Sequence, residues 1–142
     1  MRSLDTYLNF KGNALEAFEF YRSVFGGDFG GLYTYADFGG EQAGFKASDA
    51  GRIAHISLQL TPTFSLMGSD VPSHGEADFT MGSNTYININ VESPEEGKRL
   101  FDALAEGGRI EHPLEKTSWA EQYGSLRDRF GVQWMFNYWI EE

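Results

Sequence analysis

The chain has 142 residues, 41% hydrophobic and 15% aromatic, enough to bury a core and too apolar for a disordered segment. With 21 acidic and 11 basic residues its formal net charge is −10, which repels a phosphate backbone and argues against a nucleic-acid partner. The absence of cysteine excludes disulfides, thiolate metal ligands and cysteine nucleophiles. No apolar run reaches about 18 residues and the N-terminus lacks a signal core, so no membrane partner is expected and a cytoplasmic location is.

The first alternating stretch, Leu4 to Phe10, predicts a strand. Asn13 reads as a helix N-cap, followed by a helix over 14–25 with Ala14, Ala17, Phe18, Tyr21 and Phe25 as its buried stripe. Gly26-Gly27 ends it, since glycine accepts the left-handed C′ conformation. Three strand candidates follow, over 28–38, 53–60 and 63–69. Tyr33, Tyr35 and Phe38 form a candidate flap, and Gly30-Gly31 and Gly39-Gly40 read as turns or bulges. The polar, glycine-containing stretch 71–83 reads as a linker.

The second half repeats the order. A strand over 85–91 leads to Ser93 as N-cap, Pro94 at N1 and Glu96 completing a capping box. The helix carries Leu100, Phe101 and Leu104 inward, with Lys98-Arg99 on a solvated face, and Gly107-Gly108 ends it. Strands are predicted over 109–116, 122–127 and 132–140. A strand–helix–Gly-Gly–three-strand unit recurring after about 80 residues is an internal duplication. The expectation is one α+β domain over 1–142, with a first βαβββ module at 1–70, the linker at 71–83 and a second module at 84–142.

Alternation assigns faces. Leu4, Leu8 and Phe10, then Ile56, Leu58 and Leu60, then Ile87, Ile89 and Val91, then Trp134, Phe136 and Tyr138 should pack on the helices. Opposite them stand Asp5, Tyr7 and Asn9; His55, Ser57 and Gln59; Tyr86, Asn88 and Asn90; Gln133, Met135 and Asn137. That face is rich in amides and almost uncharged. Such groups bridge several hydrogen-bond partners without the cost of burying a net charge. They suit a hydrated pocket for a polar small molecule, although a plain exposed sheet can carry them too.

Two stretches resemble a known family. The opening, 4–10 with Gly12-Asn13 and then Ala17-Phe18-Glu19-Phe20-Tyr21 to Phe25-Gly26-Gly27, is similar to the start of the PhnB-like branch of the vicinal-oxygen-chelate (glyoxalase/bleomycin-resistance/dioxygenase) superfamily. The closing Trp119 to Gly124 and Asp128-Arg129-Phe130-Gly131-Val132-Gln133-Trp134 resembles that branch's W-G-x-x-Y-G and D-P-F-G-x-x-W ending. Ala120 stands where glycine is usual and Arg129 where proline is. The resemblance implies paired βαβββ modules whose mixed sheets curl around a cavity, and a homodimer. In the superfamily's metalloenzymes it also implies four ligand positions for a divalent ion that polarises substrate oxygens. Here they fall on Asp5, near Ser65 to Met67, on Tyr86 and on Met135. Thioether, phenol and hydroxyl are poor partners for such an ion, so no metal and no cofactor is expected.

Of the three histidines, His55 is the best general-base candidate by location, with Asp5 as its acid–base partner. His74-Gly75-Glu76-Ala77-Asp78 reads as a solvated loop and His112, before Pro113, as a strand-edge residue. Trp119, Tyr123 and Phe130 can line a pocket, whereas Trp134 has core parity. The expected function is metal-independent binding of a small molecule by Asp5, Tyr7, Asn9, His55, Ser57, Tyr86, Asn88, Trp119, Tyr123, Gln133 and Asn137. The alternative is a lyase, isomerase or dioxygenase-type enzyme on a small polar substrate. Ubiquinone-type methyl transfer is disfavoured, as no methyl-donor motif is present.

Overall fold

The computed structural model describes residues Met1–Ile140. It contains two compact units, Met1–Thr80 and a second beginning at Met81. In the first, β1 (Thr6–Phe10), α1 (Ala14–Phe25), β2 (Asp28–Thr34), β3 (Ile53–Gln59) and β4 (Ser65–Asp70) form a sheet in the order β1-β4-β3-β2. β1 runs parallel to β4; the other pairs are antiparallel. The second unit repeats this with β5 (Ile87–Asn90), α2 (Pro94–Ala105), β6 (Arg109–Glu115), β7 (Gln122–Arg127) and β8 (Gln133–Tyr138), ordered β5-β8-β7-β6. β5 and β8 are its parallel pair. These are the two α+β, βαβββ modules with mixed sheets that the sequence predicts, and each four-stranded sheet is open rather than closed on itself. Several strands are shorter than predicted, and the stretch read as a linker contains a 3-10 turn, Ser73–Asp78.

α1 buries Ala14, Ala17, Phe18, Phe20, Tyr21 and Val24. Phe25, expected in the stripe, is only half-buried, and Val24, one turn after Phe20 and Tyr21, takes the inner place. Phe18 meets Phe10 edge-on at 6.1 Å and Tyr21 at 5.8 Å. Leu4 was expected on the inner face but precedes β1 and is exposed.

The start of α1 corrects the capping expectation. Asn13 occupies the N-cap position, but its side chain makes no capping bond. The cap comes from β4: Asp70 Oδ1 accepts from the backbone N–H of Gly12 and of Ala14, both at 2.9 Å. Asp70 Oδ2 accepts from the Ile53 N–H at 2.9 Å, where β3 begins. A buried carboxylate with three backbone donors is a stronger acceptor than a neutral amide. The flap expectation for Tyr35 also fails: Tyr35 is buried and donates to the Asp70 carbonyl at 2.6 Å. Burial, then the nearby Asp70 charge, pushes its phenol pKa up.

α2 is capped locally. Ser93 Oγ accepts from the Glu96 N–H at 3.1 Å. The Glu96 carboxylate reaches back to the Glu92 N–H at 3.2 Å, one residue beyond the position a standard capping box uses. Leu100, Phe101 and Leu104 are buried, as the pattern predicts, and Phe101 packs edge-on against Phe136 at 5.5 Å. Asp128 organises the β7–β8 turn: Oδ1 accepts from the N–H groups of Phe130 and Val132, and Oδ2 from Trp134 Nε1 at 2.9 Å. Trp134 is core, as its parity predicts.

The paired glycines have two different reasons. Gly26 and Gly107 sit at φ 77° and 73°, left-handed positions that end each helix. Gly27 and Gly108 pass so near a neighbouring strand that a Cβ would lie 2.2 Å from the Gln59 carbonyl oxygen and 2.4 Å from that of Arg127.

Asp49, buried in the loop before β3, accepts from Ser73 Oγ at 2.7 Å and Ser73 N–H at 2.9 Å, with Arg52 Nε at 3.5 Å. The Ser73 bonds first, and the Arg52 charge after them, hold its carboxyl below the ordinary aspartate range.

Three outcomes follow, all readable by urea unfolding. Asp70→Ala strands three backbone donors and lowers stability by about 3–5 kcal/mol, whereas Asp70→Asn, which keeps one acceptor oxygen, costs less. Gly108→Ala meets backbone that has no room to yield and costs about 1–3 kcal/mol, while Gly51→Ala, with open space around it, stays within about 0.5. Asp49 is harder to protonate folded than unfolded, so its contribution is complete above the ordinary aspartate pKa and is lost as pH falls through the lowered folded value. The urea midpoint therefore falls as pH drops below the ordinary aspartate range, and falls less in Ser73→Ala.

Candidate functional site

In the first unit the outward face is built across four strands. Register sets Tyr7 (β1) beside Met67 (β4), Met67 beside Ser57 (β3), and Ser57 beside Gly31 (β2). Tyr7 Oη lies 3.3 Å from His55 Nδ1, with ring centroids 5.8 Å apart. Ser69 Oγ donates to Asn9 Oδ1 at 3.3 Å. β2 bulges between Phe29 and Gly31, and a Cβ on Gly30 would lie 3.0 Å from Ser57 Oγ. The glycines thus put no side chain of their own over Ser57, while the Tyr33 ring lies over Gly31. Tyr33 pairs with His55 across the sheet and stacks on Phe38 at 5.5 Å. Tyr7 and Tyr33 remain 44% and 46% exposed, so both rings can receive a ligand.

Two expected members behave differently. Asp5 precedes β1, is exposed, and accepts from Ser3 Oγ at 2.6 Å. The side-chain partner of His55 is Tyr7 rather than Asp5. Gln59 donates to the carbonyls of Thr61 and Phe64 and serves the β3–β4 turn.

In the second unit an amide chain crosses the parallel pair. Asn137 Nδ2 donates to Asn88 Oδ1, and Asn88 Nδ2 donates to Asn90 Oδ1 at 3.1 Å. Asn137 is buried while Asn88 and Asn90 are exposed. Gln133 is buried and engaged at both ends of its amide, donating to the Thr85 carbonyl at 2.8 Å and accepting from Arg127 Nη2 at 2.6 Å. Tyr123 stands between His112 and Trp119, at ring-centroid distances of 5.1 and 5.4 Å. Trp119 is exposed and lines a cleft of about 380 Å³ with Lys116, Thr117, Glu121, Trp139 and Ile140.

At the positions where the resemblance implies metal ligands, the side chains are a poor donor set for a divalent ion. Tyr86 shares its phenolic hydrogen between the two oxygens of Glu111, each at 3.2 Å. Partial burial, then that hydrogen bond, pushes its pKa up, so it stays a neutral donor. Met135 offers a soft thioether, and Asp5 bonds Ser3. The second loop motif disperses: His74 stacks on Phe45 at 6.4 Å and Glu76 pairs with Arg52 at 2.7 Å. Among the described residues no three His, Cys, Asp or Glu side chains form a metal-holding group.

Sequence reasoning missed Glu111, Ser69 and Trp139. Trp139 was within reach of the alternation that carries 133, 135 and 137. Glu111 and Ser69 depend on strand register, which the pattern alone does not supply.

Comparison with known proteins agrees with this architecture. A family model described as 3-demethylubiquinone-9 3-methyltransferase matches residues 2–136. Protein YjdN of Escherichia coli K12 is 33% identical, with 94% of this chain and 93% of YjdN covered. The crystal structure of PA1353 from Pseudomonas aeruginosa matches with a TM-score of 0.80 and 36% identity, covering 98% of this chain and 100% of that one. A Bacillus cereus PhnB protein, described as a putative 3-demethylubiquinone-9 3-methyltransferase, matches at 0.77 and 28%, covering 96% and 99%. The fold alone extends to a glyoxylase/bleomycin resistance protein/dioxygenase domain from Frankia, at a TM-score of 0.63 and 11% identity over 99% and 97% of the two chains. The chain therefore belongs to the family described as 3-demethylubiquinone-9 3-methyltransferase, is PhnB-like, and shares its fold with the glyoxylase/bleomycin resistance protein/dioxygenase domain.

Proposed function

We propose that this protein binds a small polar molecule on its outward strand faces, without a metal ion. The amide chain from Asn137 through Asn88 to Asn90 carries the reading. Each amide offers donors and an acceptor, so the row can match a ligand of mixed polarity. Being neutral, it costs less to desolvate than carboxylates or ammonium groups. In the first unit Tyr7, His55 and Ser57 offer the same neutral chemistry beside exposed rings. The poor donor set at the superfamily's metal positions supports a metal-independent role.

The methyl transfer suggested by the family description finds no support in a phosphate- or cofactor-cradling glycine loop. The Gly-Gly pairs end helices, at 26–27 and 107–108, bulge β2, at 30–31, or open a 3-10 turn, at 39–40. A second reading, acid–base chemistry of the lyase or isomerase type, rests on the 3.3 Å contact of His55 with Tyr7. We place the protein in the cytoplasm as a homodimer; exposed Leu32, Phe64 and Ile110 supply apolar surface for a second copy. Among the described residues no helix is long and apolar enough to cross a membrane.

Native mass spectrometry and elemental analysis, on protein purified without chelator or metal resin, test the first reading. A bound organic molecule and no stoichiometric divalent ion are expected; a retained ion at one per chain sinks it. His55→Gln should weaken binding of that molecule by about fivefold, the value of one hydrogen bond, with no turnover in either form. Turnover that disappears in His55→Gln favours the enzyme instead.

A further inference from the structure

The outward face of the first unit is shaped by where its small residues fall. One row crosses the sheet from β1 through β4 and β3 to β2 as Tyr7, Met67, Ser57 and Gly31. Rings stand at its two ends. Tyr7 is one, and the other is Tyr33, whose Cε2 lies 3.2 Å from where a Cβ on Gly31 would be. Between them a thioether and a hydroxyl form a low floor. The outer strands are three strand spacings apart, about 14 Å. A flat ring therefore lies on this floor between the phenols rather than clamped face to face by them.

Both rings are held. Tyr7 Oη meets His55 Nδ1 at 3.3 Å, and Tyr33 stacks on Phe38 at 5.5 Å with 23° between the planes. Both nonetheless remain nearly half exposed. Aromatic side chains fixed in place and open to solvent lose little entropy on contact. Ser57 is half-buried, and among the described residues its Oγ has no hydrogen-bond partner. A hydroxyl so placed offers a donor and an acceptor to a ligand. The adjacent row sets Asn9 beside Ser69 and His55 beside Tyr33, so neither row contains Lys, Arg, Asp or Glu. The second unit supplies the contrast. It repeats the floor as Met135 beside Ser125, but Asn88 and His112 occupy the places of Tyr7 and Gly31.

We propose that the trough between Tyr7 and Tyr33 binds an uncharged planar aromatic molecule whose polar substituent takes the Ser57 hydroxyl. Thioether sulfur makes favourable contacts with aromatic rings, and the phenols add edge-to-face contacts. A charged ligand would lose hydration without gaining an ionic partner from this lining. This rests on the binding function proposed above and adds the class of ligand.

2-Naphthol, uncharged at neutral pH, is the probe, with 2-naphthoate and 2-naphthylmethylammonium as an anion and a cation built on the same ring. Each is titrated into the full chain by calorimetry. Naphthol binds, and both ions bind at least about tenfold more weakly. Tyr7→Leu and Tyr33→Leu each weaken naphthol by about fivefold, and Tyr33→Phe stays near the wild type. Gly31→Ala, which displaces the Tyr33 ring, weakens it as well. Phe64→Leu, which removes an exposed aromatic from the β3–β4 turn, leaves binding unchanged. Circular dichroism checks that each variant is folded. An ion that binds as well as naphthol overturns the class of ligand. Binding that survives both leucine variants at Tyr7 and Tyr33, or that Phe64→Leu weakens as much, overturns the trough. Loss of naphthol in Asn88→Ala, with both tyrosine variants unaffected, also overturns the trough but leaves binding on the amide row standing. Absence of naphthol binding to the wild type overturns the trough too, and a molecule retained in native mass spectrometry then leaves the binding function standing.

Discussion

The buried carboxylate of Asp70 is the constraint on which the first unit depends. It sits at the end of β4 and takes three backbone N–H groups, two from the β1–α1 turn and one from the start of β3. Through that one group three elements distant in sequence are held in register. β1 carries Tyr7 and β3 carries His55, so their 3.3 Å contact exists because Asp70 fixes the two strands on either side of its own. Tyr35, donating to the Asp70 carbonyl, ties the irregular stretch after β2 to the same point. Burying a carboxylate is costly unless its oxygens are satisfied. Here the donors are backbone groups that would otherwise be orphaned, so one arrangement resolves two problems.

The second unit solves the equivalent problem with different parts. Its helix is capped locally by Ser93, and its buried acid, Asp128, has moved to the β7–β8 turn, where it accepts from two backbone N–H groups and Trp134. Arg129 stands where proline is usual in relatives, and the turn does not need proline's rigidity because Asp128 fixes it. The duplicated topology is therefore kept while the polar hubs are not. What both halves do keep is the Gly-Gly pair. No side chain can substitute where a Cβ would lie 2.2 or 2.4 Å from a carbonyl oxygen of the neighbouring strand.

This difference explains what was legible in the sequence. Helix boundaries, the internal repeat and strand alternation rest on local periodicity, and a single chain displays them openly. α1 and α2 are stripes at 3.6-residue spacing, and the amide-rich alternation marks one side of each sheet. Features that depend on contact between distant segments were not legible. Asp70 caps a helix 56 residues away, while the local rule looks only at Asn13. Asp5 and His55 share a face by parity, but parity says nothing about which strand lies between them. Gln133 has face parity as well, yet it is buried and held by Thr85 and Arg127. Parity gives the side of a sheet; register gives the neighbour, and neighbours decide which groups a ligand can reach.

The two outward faces offer unlike chemistry. The first pairs an imidazole with phenols beside a glycine bulge in β2. The second carries an amide row from Asn137 through Asn88 to Asn90. Each neutral donor or acceptor on these faces discriminates by the partner it would leave unpaired. Neutral groups of this kind select by shape and by hydrogen-bond pattern rather than by charge.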